Sequence, residues 1–242
     1  MDAQTASQKE AEPNAGYIAF HAPRFAFVVE LLRSYVRNPG TRCVLDVGRS
    51  HLSTKLAREL GVRVDSVGLE PDEELPTGRH YRLDLNETQS EGGPPSGLGP
   101  YDVVVFAEVI EHLYTAPELV LAFLGRLMVR GGILVVQTPN AVSLGKRVKM
   151  VLGKNPFERI RADRRNPGHY REYTLNELTG VLVATGFTVE QTFRRYYFDA
   201  RFARHEVGDE APARVRGALR NVVYRSLPPP LREGITIVAR LN

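Results

Sequence analysis

A motif rich in acidic and histidine side chains directly follows a predicted buried strand. Residues 101–106 read Tyr-Asp-Val-Val-Val-Phe, a run typical of a parallel strand, and Glu108, Glu111 and His112 come next. A helical turn would place these three side chains on one face, since they stand at positions i, i+3 and i+4. Together with the distant His169 they offer two oxygen and two nitrogen ligands, a set that suits a divalent metal. The alternative is a solvated helix start whose acids complement the helix dipole.

Acidic side chains also follow three earlier predicted strands. Asp46 ends the first strand, and Gly48 after it allows the backbone to approach a ligand closely. Glu70 ends the second strand, about 20 residues after the turn that follows the first strand. An acid at this distance can accept hydrogen bonds from both ribose hydroxyls of an adenosine. Asp84 and Leu85 follow the third strand and offer an acceptor for an adenine amino group beside an apolar wall. Taken singly, these acids could equally be a helix cap, a surface acid and a turn former.

The elements that must position these residues alternate between strand and helix. Apolar periodicity and turn residues predict strands at 43–47, 64–69, 80–83, 101–106, 133–138, 188–198 and 235–241, and helices at 20–37, 53–60, 117–129, 175–185 and 213–225. This order predicts an α/β, Rossmann-like fold, with a seven-stranded, mostly parallel sheet and helices on both faces. Ligands of such sheets bind beyond the carboxyl ends of the strands. The irregular stretch 141–171 follows the fifth strand and is predicted to be a lid insertion.

Length and composition predict one soluble domain. The chain has 242 residues, of which 43% are hydrophobic and 25% charged, enough for a single domain over residues 16–242 after a disordered N-terminus at 1–15. Cys43 is the only cysteine, so no disulfide forms within the chain and a reducing compartment is expected. The polar N-terminus does not resemble a secretory signal, and no apolar run approaches the length of a membrane span. We therefore expect a cytoplasmic protein.

The net charge of +4 is unevenly distributed. Basic residues concentrate between positions 146 and 171 and again between 194 and 225. Such runs attract polyanions or form ordinary solvated surface, and the sequence leaves both alternatives open.

Several motifs, in order, resemble those of the class I S-adenosylmethionine-dependent methyltransferases over roughly residues 20–200. They are Val-Leu-Asp-Val-Gly, Val-Gly-Leu-Glu-Pro, Leu-Asp-Leu-Asn, Tyr-Asp-Val-Val, Arg-Gly-Gly-Ile-Leu-Val-Val-Gln-Thr-Pro-Asn and Arg-Glu-Tyr-Thr-Leu-Asn-Glu-Leu. The resemblance implies that S-adenosylmethionine is the cofactor. It places Asp46 and Gly48 beside the methionine part, Glu70 on the ribose, and Asp84 and Leu85 at the adenine.

The glycine-rich loop of this family is shortened here. It reads Asp-Val-Gly-Arg-Ser-His-Leu from position 46, without a second or third glycine. A short loop suits a cofactor that has no pyrophosphate, and it argues against a dinucleotide dehydrogenase. Ser50, within this loop, is grouped with the cofactor-binding residues.

The Glu-x-x-Glu-His motif with a later histidine is similar to the metal site of small-RNA terminal 2′-O-methyltransferases, ubiquinone-biosynthesis O-methyltransferases and a mycobacterial methylmannose polysaccharide O-methyltransferase. That resemblance implies that Glu108, Glu111, His112 and His169 bind a divalent metal, expected to be Mg²⁺, and that His112 or His169 takes the proton of the acceptor. A metal-bound hydroxyl with a chelating neighbour predicts a vicinal diol.

Three acceptors compete: a sugar or oligosaccharide hydroxyl, favoured by the short lid; an RNA ribose, favoured by the basic runs; and a quinone or catechol. A cofactor-binding regulator without catalysis is the non-enzymatic alternative, and the intact set of four metal-ligand candidates argues against it.

Overall fold

The structure, a computed structural model, describes residues 15–36, 43–89, 93–163, 167–203 and 211–242. The predicted disorder at 1–15 lies outside these residues except for Ala15. That residue begins the first helix, so the predicted boundary was wrong at this position.

A single mixed sheet organises the chain. Its strands are β1 (Cys43–Val47), β2 (Arg63–Gly68), β3 (Glu73–Leu75), β4 (Gly78–Arg82), β5 (Tyr101–Ala107), β6 (Met128–Pro139), β7 (Phe187–Arg195) and β8 (Gly234–Leu241). Their spatial order is β3-β4-β2-β1-β5-β6-β8-β7. β4, β2, β1, β5 and β6 pair in parallel, whereas β3, β7 and β8 pair antiparallel to their neighbours. The chain therefore reverses its direction of growth between β1 and β5, where such sheets bind ligands.

The Rossmann-like, mostly parallel arrangement is confirmed, but the described residues form eight strands and not the predicted seven. The additional strand is β3, a three-residue edge strand that pairs with β4 as a hairpin. Its sequence Glu-Glu-Leu lacks the β-branched residues that indicate a strand, so only the pairing with β4 defines it.

Helices cover both faces of the sheet. They are α1 (Ala15–Val36), α2 (His51–Leu60), α3 (Pro117–Arg126), α4 (Leu144–Val151), α5 (Leu175–Ala184) and α6 (Ala211–Ser226). Two apolar clusters result, one between the sheet and α1 and α2, and the other between the sheet and α3 and α5. Successive residues of β5 alternate between them, with Val103 and Val105 in the first cluster and Val104 and Phe106 in the second. Burial on both faces explains why this strand is continuously apolar.

Within the described residues α1 is the one helix whose length and composition would allow it to cross a membrane. No segment of that kind was expected from the sequence. Phe25, Val28, Val29 and Leu32 of this helix are buried in the apolar cluster against the sheet. Its apolar character is thereby explained by packing against the sheet.

The predicted lid, 141–171, contains α4 and then irregular backbone. Its last residues are held in place, because the backbone N–H groups of Tyr170 and Arg171 donate to the Glu111 carbonyl at 2.8 and 3.3 Å. A parallel bridge between Asn140 and Tyr173 joins the two ends of the segment. Whether it opens and closes stays a prediction. Arg164 and Arg165, part of the first basic run, lie outside the described residues.

Candidate active site

A cavity of about 540 Å³ opens at the carboxyl ends of β1, β2 and β4. Gly48, Glu70, Asp84 and Leu85 line it, so four of the six predicted cofactor-binding residues are brought together. Gly48 has φ of +87°, a conformation that glycine adopts without strain. His112 lines the same cavity from the loop after β5. The cavity thus connects the predicted cofactor residues to the predicted metal site.

The Glu70 carboxylate lies above the end of β2, over a glycine and a buried histidine. A side chain on Gly68 would come within 2.7 Å of Glu70 Oε2, so the carboxylate lies directly over this glycine. His80 is fully buried, with Nδ1 2.8 Å from Ser66 Oγ and Nε2 3.6 Å from Glu70 Oε2. Burial lowers the pKa of His80, so this neighbour of the carboxylate is neutral at physiological pH.

Asp46 and Ser50 are not among the residues that line the cavity. Asp46 is buried beneath the turn after β1, where its Oδ2 accepts hydrogen bonds from Ser53 Oγ at 2.6 Å and Ser50 Oγ at 3.4 Å. Burial raises the pKa of Asp46 to about 7. Ser50 caps α2 by accepting from the Leu52 N–H. The two residues fix the shape of the turn that presents Gly48, and direct cofactor contact by either stays a prediction.

The motif after β5 does not form the single helical turn that the sequence predicted. Glu108 has φ of +57°, and a short 3₁₀ turn begins only at Ile110 and ends at His112. The positive φ disfavours any residue with a side chain and is the kind of strain found at functional sites. As a result, Glu108 is outside the cluster in which Glu111, His112 and His169 each offer a ligand atom within 4.8 Å of the others.

Glu111 is completely buried, and its two carboxylate oxygens differ. Oε2 accepts a hydrogen bond from Thr138 Oγ1 at 2.9 Å, whereas Oε1 has no hydrogen-bond partner in the described part of the chain. Burial, reinforced by the nearby Glu108, raises the pKa of Glu111 well above its usual value. Burying a carboxylate oxygen without a hydrogen-bond donor destabilises the fold, and a bound cation would offset that cost in free energy.

Both histidines of the cluster are oriented through Nδ1. His112 Nδ1 is 3.0 Å from the Gly168 carbonyl oxygen, so it carries the hydrogen and donates. His169 Nδ1 is 3.1 Å from Glu172 Oε1 and likewise donates its hydrogen to that oxygen. Each ring therefore keeps Nε2 as the basic nitrogen, and the rings pack edge to face with centroids 4.8 Å apart. Burial, with a smaller effect of His112, lowers the pKa of His169 to about 4, so that this imidazole is neutral.

Two cations that the motif analysis missed lie near the carboxylates. Arg24 of α1 is buried, and Lys146 of α4 donates to the Asn140 carbonyl at 3.1 Å and contacts the Glu172 carboxylate. Burial raises the pKa of Glu108, and the charges of Arg24 and Lys146 oppose that rise. Burial also lowers the pKa of Lys146 to about 8. Arg24 is an isolated charge within an apolar helix sequence, the one signal that could have drawn attention to it.

Comparison with known proteins shows the family of the chain. The family model described as "Methyltransferase domain" matches residues 20–192. A probable S-adenosylmethionine-dependent methyltransferase of Mycolicibacterium smegmatis is 36% identical over 91 residues, which are 38% of this chain and 30% of that protein. The chain thus corresponds to less than a third of that relative's length.

Solved structures show the same fold. An S-adenosylmethionine-dependent methyltransferase from Archaeoglobus fulgidus superposes with a TM-score of 0.52 at 20% identity, covering 89% of this chain and 94% of the other. Magnesium protoporphyrin IX methyltransferase from Synechocystis PCC 6803, solved with bound SAH, superposes with a TM-score of 0.50 at 16% identity, covering 92% and 84%.

The fold is the one found in solved S-adenosylmethionine-dependent methyltransferases. The chain belongs to the methyltransferase-domain family, which its match over residues 20–192 shows directly.

Proposed function

We propose that this methyltransferase transfers the methyl group to oxygen, with a divalent metal held by Glu111, His112 and His169. The supporting observation is the convergence of these three ligand atoms within 4.8 Å, at a loop that also lines the cofactor cavity. Glu108 completes the predicted set only if its side chain moves toward the other three.

The donor set fits a divalent ion. Glu111 supplies a buried carboxylate oxygen that lacks a donor, and each histidine presents Nε2 because its Nδ1 is bonded elsewhere. The Gly168 carbonyl and the Glu172 carboxylate act as the outer partners that usually fix metal-binding imidazoles. One carboxylate and two neutral imidazoles suit Mg²⁺ poorly compared with Mn²⁺ or Co²⁺, so the test includes all three ions.

The chemistry of methyl transfer places few demands on the protein. The cofactor supplies a reactive methyl group, and the chain must align it with the acceptor oxygen and accept that oxygen's proton. A bound divalent ion would lower the pKa of the acceptor hydroxyl. Each histidine has one basic nitrogen, Nε2, so a histidine that holds the ion cannot also accept the proton, and with the ion bound the proton of the hydroxyl would pass to water. In the metal-free alternative His112 or His169 accepts the proton, and the lowered pKa of His169 keeps it in the basic form at neutral pH.

For the acceptor we propose a sugar or oligosaccharide carrying a vicinal diol, since two adjacent hydroxyls could share one ion. Tyr114 and Tyr170 pack edge to face at a centroid distance of 5.6 Å beside the cavity, and Tyr114 is 62% exposed. Exposed aromatic rings at the rim suit the apolar face of a sugar and equally the ring of a catechol or quinone. RNA ribose is the remaining alternative.

The test is transfer of a tritiated methyl group to pooled glycans, RNA and quinols, with and without a chelator. We expect chelation to abolish transfer and added Mn²⁺, Co²⁺ or Mg²⁺ to restore it, while calorimetry shows unchanged cofactor affinity. Methyl transfer at full rate after chelation would refute metal dependence and leave one histidine as an unassisted base. Methylation restricted to nitrogen or carbon would refute O-methylation.

His169→Ala provides the matched variant. The residue lies on an irregular segment and is 23% exposed at its side chain, so its loss should leave the fold and cofactor affinity intact while transfer is lost. His51→Ala is the control, because that histidine begins α2 and lies outside the cluster of Glu111, His112 and His169.

A further inference from the structure

Helix α6 packs with its small and polar residues and exposes its apolar ones. A side chain on Gly217 would lie 2.4 Å from the Ala200 carbonyl oxygen, and Asn221 Oδ1 accepts from the Ala200 N–H at 2.8 Å, so this face lies against the 3₁₀ turn at 200–202. Val215, Leu219 and Val222 are 70%, 65% and 63% exposed. The usual orientation of an amphipathic helix is thus inverted.

The exposed apolar residues form one stripe with arginines on both sides. At 3.6 residues per turn, Val215, Leu219 and Val222 align along the helix. Arg216 lies on one flank of this stripe and Arg225 on the other. The helix contains no acidic residue. Basic flanks around an apolar stripe are typical of helices that lie in the plane of a membrane surface.

Helix α4 has the same character and lies beside α6. A side chain on Gly145 of α4 would lie 4.0 Å from Tyr224 Oη of α6, so the two helices are neighbours. Val151 and Leu152, at the end of α4, are 87% and 64% exposed. Residues 144–154 include three exposed basic side chains, Arg147, Lys149 and Lys154, and no acidic one. We call the exposed sides of these two helices the α4–α6 surface.

We propose that the α4–α6 surface docks onto an anionic membrane surface, with the apolar stripe inserted at the level of the lipid headgroups. Charge complementarity identifies this occupant, because the cations that flank the stripe match the phosphate groups of acidic lipids. Vesicle binding by this surface is independent of which acceptor the active site takes.

Two other occupants fit less well. A second copy related by a two-fold axis would place the same arginine-flanked stripe against itself and bring like charges together. RNA would satisfy the arginines, but the stripe has no aromatic ring on which a base could stack. Neither alternative uses the apolar and the basic residues together.

The experiment is cosedimentation of the full chain with vesicles of phosphatidylcholine alone and of two parts phosphatidylcholine to one part phosphatidylglycerol. We expect at least about tenfold tighter binding to the anionic vesicles, weakened by salt. The double variant Leu219→Glu/Val222→Glu should lose at least about tenfold in this affinity. The control Leu119→Glu/Val183→Glu changes residues that are 44% and 60% exposed on α3 and α5 and should bind like the wild type.

Folding of each variant is checked by its calorimetric affinity for S-adenosylmethionine. The cavity proposed to bind this cofactor is formed by the loops after β1, β2 and β4, and none of the substituted residues lines it. Absence of vesicle binding by the wild type, equal affinity for neutral and anionic vesicles, or an unaffected Leu219→Glu/Val222→Glu variant would overturn the proposal. A dimer detected by sedimentation and dissociated by this variant would also overturn it. The same holds if the wild type does not bind vesicles but binds RNA, and Arg216→Gln/Arg225→Gln abolishes the RNA binding.

Discussion

Replacing Glu111 by glutamine should have opposite effects on the stability of the metal-free and the metal-loaded protein. Glu111 is fully buried, and its Oε1 lacks a hydrogen-bond partner among the described residues. Glutamine has nearly the same shape, keeps a carbonyl oxygen for the Thr138 hydroxyl and removes the negative charge. The metal-free variant should therefore be more stable than the wild type at neutral pH, because the buried carboxyl must either remain ionised without a partner or take up a proton, and the neutral amide requires neither.

The size of the two effects can be worked out. Burying an ion costs several kcal/mol, and an unpaired neutral group costs about 1–3 kcal/mol, which leaves a gain of roughly 1–2 kcal/mol for the metal-free glutamine variant. In a domain of this length that gain raises the melting temperature by about 2–8 °C. A metal at one hundred times its dissociation constant adds about 2.7 kcal/mol to the wild type. Its melting temperature should then rise by about 5–11 °C, and that of the variant should not rise.

The assay is thermal unfolding of both proteins, followed by circular dichroism, after chelation and after titration with Mn²⁺. The control is Glu118→Gln, which removes an exposed carboxylate from the first turn of α3. It should leave both the metal-free melting temperature and the metal-induced rise near the wild-type values. An equal metal-induced rise in the wild type and Glu111→Gln would refute the ligand assignment. A less stable metal-free variant would refute the view that the Glu111 carboxylate is uncompensated.

Three further predictions concern the cofactor, the lid and the ion pair between Asp199 and Arg201. Glu70→Ala should weaken S-adenosylmethionine binding at least tenfold in calorimetry, since hydrogen bonds to a charged acceptor contribute about 1.5–3 kcal/mol each, while Glu74→Ala on the neighbouring hairpin should not; equal affinities would refute the ribose role. Hydrogen exchange across 141–171 should slow when cofactor and acceptor bind, and equally strong protection in both states would make the segment ordinary scaffold. The Arg201 ion pair lowers the pKa of Asp199 to about 2, so this carboxylate contributes stability above its unfolded pKa near 4 that disappears as the pH falls toward 2. Asp199→Asn should lower the free energy of unfolding by about 1–2 kcal/mol at pH 7 and by little at pH 2, and an equal loss at both would refute the ionic contribution.

The parallel part of the fold could be predicted because its strands carry their own signal. β1, β5 and β6 are buried on both faces, and burial on both faces requires continuous apolar sequence. β3 carries no such signal, because an exposed edge strand of three residues is defined by its partner and not by its composition. Sequence periodicity detects burial, and it fails where a strand is stabilised by pairing alone.

The site could be predicted in its residue types and only partly in its geometry. The three candidate ligands that converge are all in the predicted set, but the fourth, Glu108, was placed by assuming a helical turn. Its positive φ breaks that turn. The residue type does not predict this, because glutamate rarely adopts the left-handed backbone conformation. Lys146 and Arg24 were not assigned to the site, since their approach depends on how α4 and α1 pack and not on local spacing.

The loop after β5 joins the two halves of the proposed reaction. Its His112 lines the cofactor cavity and also belongs to the metal-ligand cluster, and its Glu111 carbonyl accepts from the backbone of Tyr170, next to His169. A displacement of this loop would move one wall of the cavity and the proposed metal ligands together, while Gly48, Glu70 and Asp84 stay on other loops. It would therefore change the distance between the methyl group and the acceptor oxygen. In-line methyl transfer depends on that distance more than on any single ligand. The chain leaves β5 at the strained backbone of Glu108, and this residue fixes the position of the loop relative to the sheet.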